Sequence, residues 1–178
     1  IPNNRFMKRD GIDDSYEKAK QYLDDLVSGN ENIPGSTPAH RERFLVESPK
    51  MLEFLISKGI QFDRVDYWPD YYDERPGGCS AGRTVVAALF DLKELGPWRK
   101  KFRKSFLPFP IMLNDALKLG DVKHEWPARW MLLKFIGRVL LQVVTGKRRV
   151  PAGSALQGQM LKASLDAGVN IRTESPVT

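Results

Sequence analysis

The chain has 178 residues and a formal net charge of +6, with 42% hydrophobic and 28% charged residues. That length buries a core without disulfides or metals, and the profile is too polar for a polytopic membrane protein. A single cysteine, Cys79, excludes an internal disulfide and suits a reducing cytoplasm, and the first residues lack the positive start and apolar run of a signal peptide.

In chain order, Asp13-Asp14-Ser15 offers helix caps, and Tyr16, Ala19, Tyr22, Leu23, Leu26 and Val27 recur at helical spacing up to Gly29. Residues 29–38 read as a loop by their Asn, Gly, Ser and Pro content. From Ala39 the apolar positions Phe44, Leu45, Met51, Leu52, Leu55 and Ile56 predict a second helix, interrupted or kinked near Pro49 and ended by Gly59. Ile60, Phe62 and Val65 then alternate as a short strand does. It leads into Pro69-Asp70-Tyr71-Tyr72-Asp73-Glu74-Arg75-Pro76-Gly77-Gly78, where paired phenols stand beside carboxylates. A phenol near pKa 10 moves protons only with a partner and a desolvated pocket. Composition alone reads these tyrosines as half-buried loop aromatics. Cys79, beside them, has no His partner that would make it a nucleophile.

The next segment carries the excess positive charge. Between Arg99 and Arg149 there are thirteen Lys or Arg and three Asp or Glu, a balance of +10 that leaves −4 for the rest of the chain. Trp98-Arg99-Lys100-Lys101-Phe102-Arg103-Lys104-Ser105-Phe106 interleaves aromatic and basic residues, and Leu107-Pro108-Phe109-Pro110-Ile111 is a stiff apolar turn. Trp126-Pro127 starts a helix rich in large apolar residues from Trp130 to Val144, with Lys134, Gly137, Arg138 and Gln142 on one polar strip. Its first reading is a helix packed on its neighbours with solvated lysines. The second is a membrane-surface or substrate-access role, since a broad apolar face with cationic edges is typical of interfacial helices. Nucleic-acid binding ranks third, because no recognised module is present. The apolar run is too short, and too interrupted by Lys134 and Arg138, to span a bilayer.

Other chemistries find no support. His40 and His124 belong to no metal-ligand spacing, so no metal site is expected. There is no Gly-x-Ser-x-Gly elbow or Walker loop. The pairs Asp13-Asp14 and Asp24-Asp25 fit helix-end electrostatics better than glycosidase chemistry.

The run Tyr67-Trp68-Pro69-Asp70-Tyr71-Tyr72, followed by Pro76-Gly77-Gly78 and Gly82-Arg83-Thr84, resembles the matching stretch of flavin-dependent 3-ketosteroid 1-dehydrogenases. These lie within the fumarate reductase and succinate dehydrogenase flavoprotein superfamily. Ile1-Pro2-Asn3-Asn4 and Gly11-Ile12-Asp13-Asp14-Ser15 follow the family order, as do Gly153-Ser154-Ala155-Leu156, Ala167-Gly168-Val169 and Thr173-Glu174-Ser175-Pro176-Val177. The resemblance is weak from about 95 to 149. A Gly-x-Gly-x-x-Gly turn between strand and helix is missing from this sequence. The expectation is therefore an internal fragment of a longer protein, without the N-terminal dinucleotide-binding motif and the downstream catalytic domain.

The resemblance implies a mostly α fold with minor β, a helical excursion of a larger α/β FAD-binding flavoprotein. Residues 1–150 would form an α-rich substrate-side segment carrying the tyrosine loop and the basic helical insert. Residues 151–178 would return to the FAD-binding domain by a helix over 154–167 and a strand over 169–173. The implied reaction removes two hydrogens from adjacent carbons of a 3-keto steroid ring: a tyrosinate takes the acidic proton while a hydride goes to FAD, which this fragment alone is not expected to retain. Tyr71 corresponds to a tyrosine that assists the base by hydrogen bonding, the base itself lying downstream. Tyr72 and Trp68 are expected to line an apolar cleft for a hydrophobic, steroid-like ketone, and Val177 to contact the adenine of FAD through its main chain. Arg83 matches a recurrent position and is expected to pair with a loop carboxylate such as Asp70 or Asp73. Fumarate reductase-like chemistry is the alternative, disfavoured because a dicarboxylate needs Arg and His clamps. The rival of another class is a basic helical module binding a membrane surface or a protein partner. A cytoplasmic protein with peripheral membrane contact, no nucleic-acid partner and a dimer of the fragment complete the expectations.

Overall fold

Asn4 starts a helix that the sequence periodicity does not announce. Its buried side chain accepts hydrogen bonds from the backbone N–H groups of Phe6 and Met7, satisfying two donors at the amino end of α1 (Arg5–Arg9). Five residues are too few to display a 3.6-residue period. The computed structural model describes residues 1–29, 33–103, 110–118 and 126–176. The chain is mostly helical with short strands, and it divides into two units, Ile1–Val86 and Ala87–Thr178.

In the first unit, α2 (Tyr16–Leu26) begins at Ser15, whose hydroxyl accepts from Lys18 N–H, and α3 (Pro38–Ser57) begins at Thr37 with Pro38 in the first turn. The helix is not interrupted at Pro49, for α3 runs through it. Pro49 offers no N–H to the preceding turn. The helix persists because Leu45, Ser48 and Leu52 bury its inner face on either side. Its end is set by Gly59, whose φ of 87° lets Gly59 N–H reach Ile56 O and Ile60 N–H reach Leu55 O, seating Ile60 in the core. From there β1 (Phe62–Arg64) pairs with β2 (Val85–Ala87), so the chain between them is an excursion with both ends held together. Met7, Ala19, Leu45, Leu52, Ile60 and Val65 form the core of this unit.

The second unit holds β3 (Phe90–Asp91), a 3-10 segment (Leu92–Lys100), α4 (Leu113–Lys118), α5 (Trp126–Thr145), β4 (Arg149–Val150) and α6 (Ala152–Asp166). β3 and β4 are antiparallel, with Phe90 opposite Val150 and Asp91 opposite Arg149. Phe90, Leu95, Val150 and Ala155 are buried together with Gly158, where a Cβ would stand 2.5 Å from the Phe90 ring. The strand expected at 169–173 does not form among the described residues. Val169 N–H bonds Ser164 O and Gly168 N–H bonds Leu165 O, so the first of these residues completes the α6 cap instead of a ladder.

Candidate functional site

The tyrosine loop is closed at its neck by a reciprocal pair: Asp70 N–H donates to Cys79 O at 3.0 Å, and Cys79 N–H donates to Asp70 Oδ2 at 3.1 Å. Two tight turns, Arg75 N–H to Tyr72 O and Gly78 N–H to Arg75 O, fold the chain between them. Such a loop with joined ends is an Ω-type element.

Below the neck sits Arg83, its side chain 8% exposed. Its guanidinium donates to both oxygens of Asp14 (Nη2 to Oδ1 2.6 Å, Nε to Oδ2 3.0 Å), to Asp70 Oδ2 (2.5 Å) and to Gly77 O (2.9 Å). The expected pairing with Asp70 is thus present, whereas Asp73 is not its partner; Asp14 is. Burial by itself disfavours the Arg83 charge, but hydrogen bonding and attraction from Asp14, with attraction from Asp70, raise its pKa above the ordinary value. Asp14, also desolvated, is pulled below the usual carboxylate range by Arg83 and by the N–H of Asn3, which donates to its Oδ2. The sequence places Asp14 as a helix-capping residue; only the fold brings it to Arg83, 69 positions away.

A second buried arginine, Arg64, ties the same region down. It donates to Asp10 (2.8 Å), Asp66 (2.7 Å) and the carbonyl of Ala81. Gly82 allows the Val65 and Trp68 carbonyls to approach, since a Cβ there would lie 2.8 and 2.6 Å from them. Tyr67 takes a φ of 57° beside this contact, a costly conformation for an aromatic residue.

The loop lies on α2. At Gly77, with φ of 77°, a Cβ would come 2.1 Å from Lys18 O and 2.8 Å from Tyr22 N, so no other residue fits. Tyr22 Oη accepts from Tyr72 N–H at 3.3 Å, the Arg83 guanidinium lies 5.7 Å from the Tyr22 ring, and Arg75 pairs with Asp25 of α2 at 3.0 Å. A cleft of about 440 Å³ opens between residues 11–21 and 77–83.

Of the residues singled out in the sequence, Tyr71 and Tyr72 stand on this loop and Trp68 two residues before its neck. Tyr71 is 90% exposed, Tyr72 51% and Trp68 38%, so the desolvation that proton transfer needs is not built by the described residues. Val177 lies outside the described residues. A flavin dinucleotide calls for a glycine-rich turn at a helix amino end. The glycines of the tyrosine loop and its neck, Gly77, Gly78 and Gly82, face the chain's own backbone, where a Cβ would lie 2.1, 2.4 and 2.6 Å from a carbonyl oxygen, and leave no room for a phosphate. With those three closed off and no Gly-x-Gly-x-x-Gly turn in the sequence, the described residues do not fit as a pyrophosphate cradle for FAD. Among them no group of His, Cys, Asp and Glu could hold a metal ion.

No family model matches the chain. It is 30% identical over 184 residues to 3-oxosteroid 1-dehydrogenase of Mycolicibacterium smegmatis, covering all of this chain and 31% of that protein. The enzyme of the same name from Mycobacterium tuberculosis is 28% identical over 183 residues, again across the whole chain and 32% of the relative. The fold matches the crystal structure of 3-ketosteroid delta1-dehydrogenase from Sterolibacterium denitrificans in complex with 1,4-androstadiene-3,17-dione, with a TM-score of 0.79 and 24% identity, over 95% of this chain and 31% of that one. Over its full length, then, this chain is homologous to 3-oxosteroid 1-dehydrogenase, of which it spans about a third.

Proposed function

We propose that this chain supplies the tyrosine loop of an oxidoreductase that introduces a double bond next to the ketone of a 3-ketosteroid. The observation that carries this is the coincidence of similarity across the whole of this chain with a closed, arginine-anchored loop that presents Tyr71 outward. In this reading residues 1–150 form the substrate-side segment, and residues 151–178 lead back to the part that binds FAD. Tyr71 hydrogen bonds to the catalytic base and stabilises its anion, while Tyr72 and Trp68 give apolar area to the steroid. The adenine contact is assigned to the main chain of Val177. FAD itself is held by residues other than those described.

A dicarboxylate substrate is disfavoured by the arginines around the loop. Arg64, Arg75 and Arg83 are all engaged by carboxylates of the chain itself, whereas a clamp needs guanidinium groups turned to the ligand. The test is Tyr71→Phe in the complete, FAD-loaded enzyme. Steroid dehydrogenation falls by roughly 10²-fold, the scale of a lost acid-base partner. Turnover equal to wild type contradicts the assignment.

A second role rests on a separate observation. On α5, Trp126, Trp130, Leu133, Leu140, Leu141 and Val144 are exposed, with Arg129 5.5 Å from the Trp126 ring and Lys134 5.7 Å from the Trp130 ring. No helix among the described residues is long and apolar enough to cross a membrane. We propose that this face rests on the surface of an anionic membrane, giving a cytoplasmic protein peripheral contact with the bilayer from which a poorly soluble ketone would come. Co-sedimentation with phosphatidylglycerol vesicles, weakening as salt rises and absent with neutral vesicles, is the expected result. Self-association without vesicle binding would assign the face to a second copy instead.

A further inference from the structure

The loop that carries Tyr71 has no strand or helix of its own between residues 70 and 79, so something else must fix where its phenol stands. Arg83 is placed to do this. Its Nη1 holds the carboxylate of Asp70, the residue immediately before Tyr71, and its Nη2 holds the carbonyl of Gly77 at the far end of the same loop. A single rigid guanidinium therefore spans both ends of the loop. The same group is locked in turn by the bidentate contact with Asp14, so its orientation is not free to drift. A third connection runs through the Tyr22 ring, 5.7 Å from the guanidinium carbon, to Tyr22 Oη and the N–H of Tyr72. Both neighbours of Tyr71 are thereby fixed from one point, while Tyr71 itself projects outward.

We infer that Arg83, with Asp14 and Asp70, is the positioning device of the reaction: it sets the location of the Tyr71 hydroxyl and makes no contact with substrate itself. The inference rests on the proposed role of Tyr71. A misplacement of about 1 Å is enough to cost catalysis when a hydrogen bond must form in the transition state. Lysine cannot replace this arginine, because an ammonium is a point donor and cannot serve two carboxylates and a carbonyl in one plane.

The experiment is a double-mutant cycle in the complete FAD-loaded enzyme, with Arg83→Lys, Asp70→Asn and Tyr71→Phe singly and in pairs. Flavin absorbance and the thermal midpoint are recorded for each variant, so that kinetics are compared on folded holoenzyme. Arg83→Lys is expected to lower kcat about tenfold with KM within about twofold, because the lost interaction acts at the transition state. In the Tyr71→Phe background the same substitution is expected to cost less than about twofold, since the group it positions is gone. A merely structural arginine gives the same loss in both backgrounds, and that additivity overturns the inference. If Arg83→Lys does not accumulate as folded enzyme, Asp70→Asn decides. A several-fold loss of kcat that disappears in the Tyr71→Phe background supports positioning, and an unchanged kcat or an additive loss refutes it. Tyr71→Phe without effect on its own refutes the role of the tyrosine instead, a result distinguishable from the failure of Arg83.

Discussion

Asp14 lies against Arg83 with its side chain 1% exposed, and Asp10 lies between Arg9 and Arg64. Both are held as anions. The hydrogen bond from Arg9, then that from Arg64, outweighs burial and brings Asp10 down to about 2, and Asp14 is lowered by Arg83 against the desolvation that would raise it. A carboxylate whose folded pKa lies below its unfolded value stabilises the fold above the unfolded pKa, and that contribution is lost as pH falls through the folded one. Asp10 therefore leaves the thermal midpoint insensitive to pH above about 5 and lowers it between about pH 4 and 2, and Asp14 adds to the acid decline in the same direction. Asp14→Asn is expected to lower the midpoint at neutral pH, because it leaves Arg83 buried with half its partners, and to make the acid decline shallower. A variant with the wild-type midpoint at pH 7 and the same acid slope would show that the pair contributes nothing.

Elements add constraints that single residues do not. α6 meets β3 through Gly158, and a methyl group there would enter the Phe90 ring at 2.5 Å. Gly158→Ala is expected to destabilise the protein by about 1–3 kcal/mol despite the better helix propensity of alanine, measurable as a lower denaturant midpoint at unchanged slope. An increase in stability would mean that Phe90 has room to turn away. The long helices were legible in the sequence because an apolar face repeats over eleven to twenty residues in α2, α3 and α5, with Ser15 and Pro127 marking two of the starts, whereas the Thr37 cap of α3 was read as part of a loop. α1, β3 and β4 were not, since runs of two to five residues carry no period and depend on partners far along the chain, as Phe90 depends on Val150. The strand expected at 169–173 failed for a related reason. It was implied by the family resemblance and needs a partner strand far along the chain, and here Val169 is taken by the helix cap.

For the whole molecule, the tyrosine loop itself was readable from its residues, but its anchoring was not. Asp14 is 69 positions from Arg83 and carries no signal beyond that of a helix cap, so only the fold reveals that it fixes the loop. The covering of Tyr71 is equally invisible from within 178 residues, because proton transfer needs desolvation and this chain leaves that phenol 90% exposed. Both facts accord with a chain that spans about a third of its relatives' length, and with the proposal that its loop forms one wall of a larger site. The most direct test of that reading is the visible absorbance of the complete purified protein under anaerobic conditions. A flavin spectrum that bleaches on addition of a 3-ketosteroid, with no electron acceptor present, is the predicted result. A complete protein that is colourless after reconstitution with FAD, or whose flavin stays oxidised in the presence of the steroid, would contradict it.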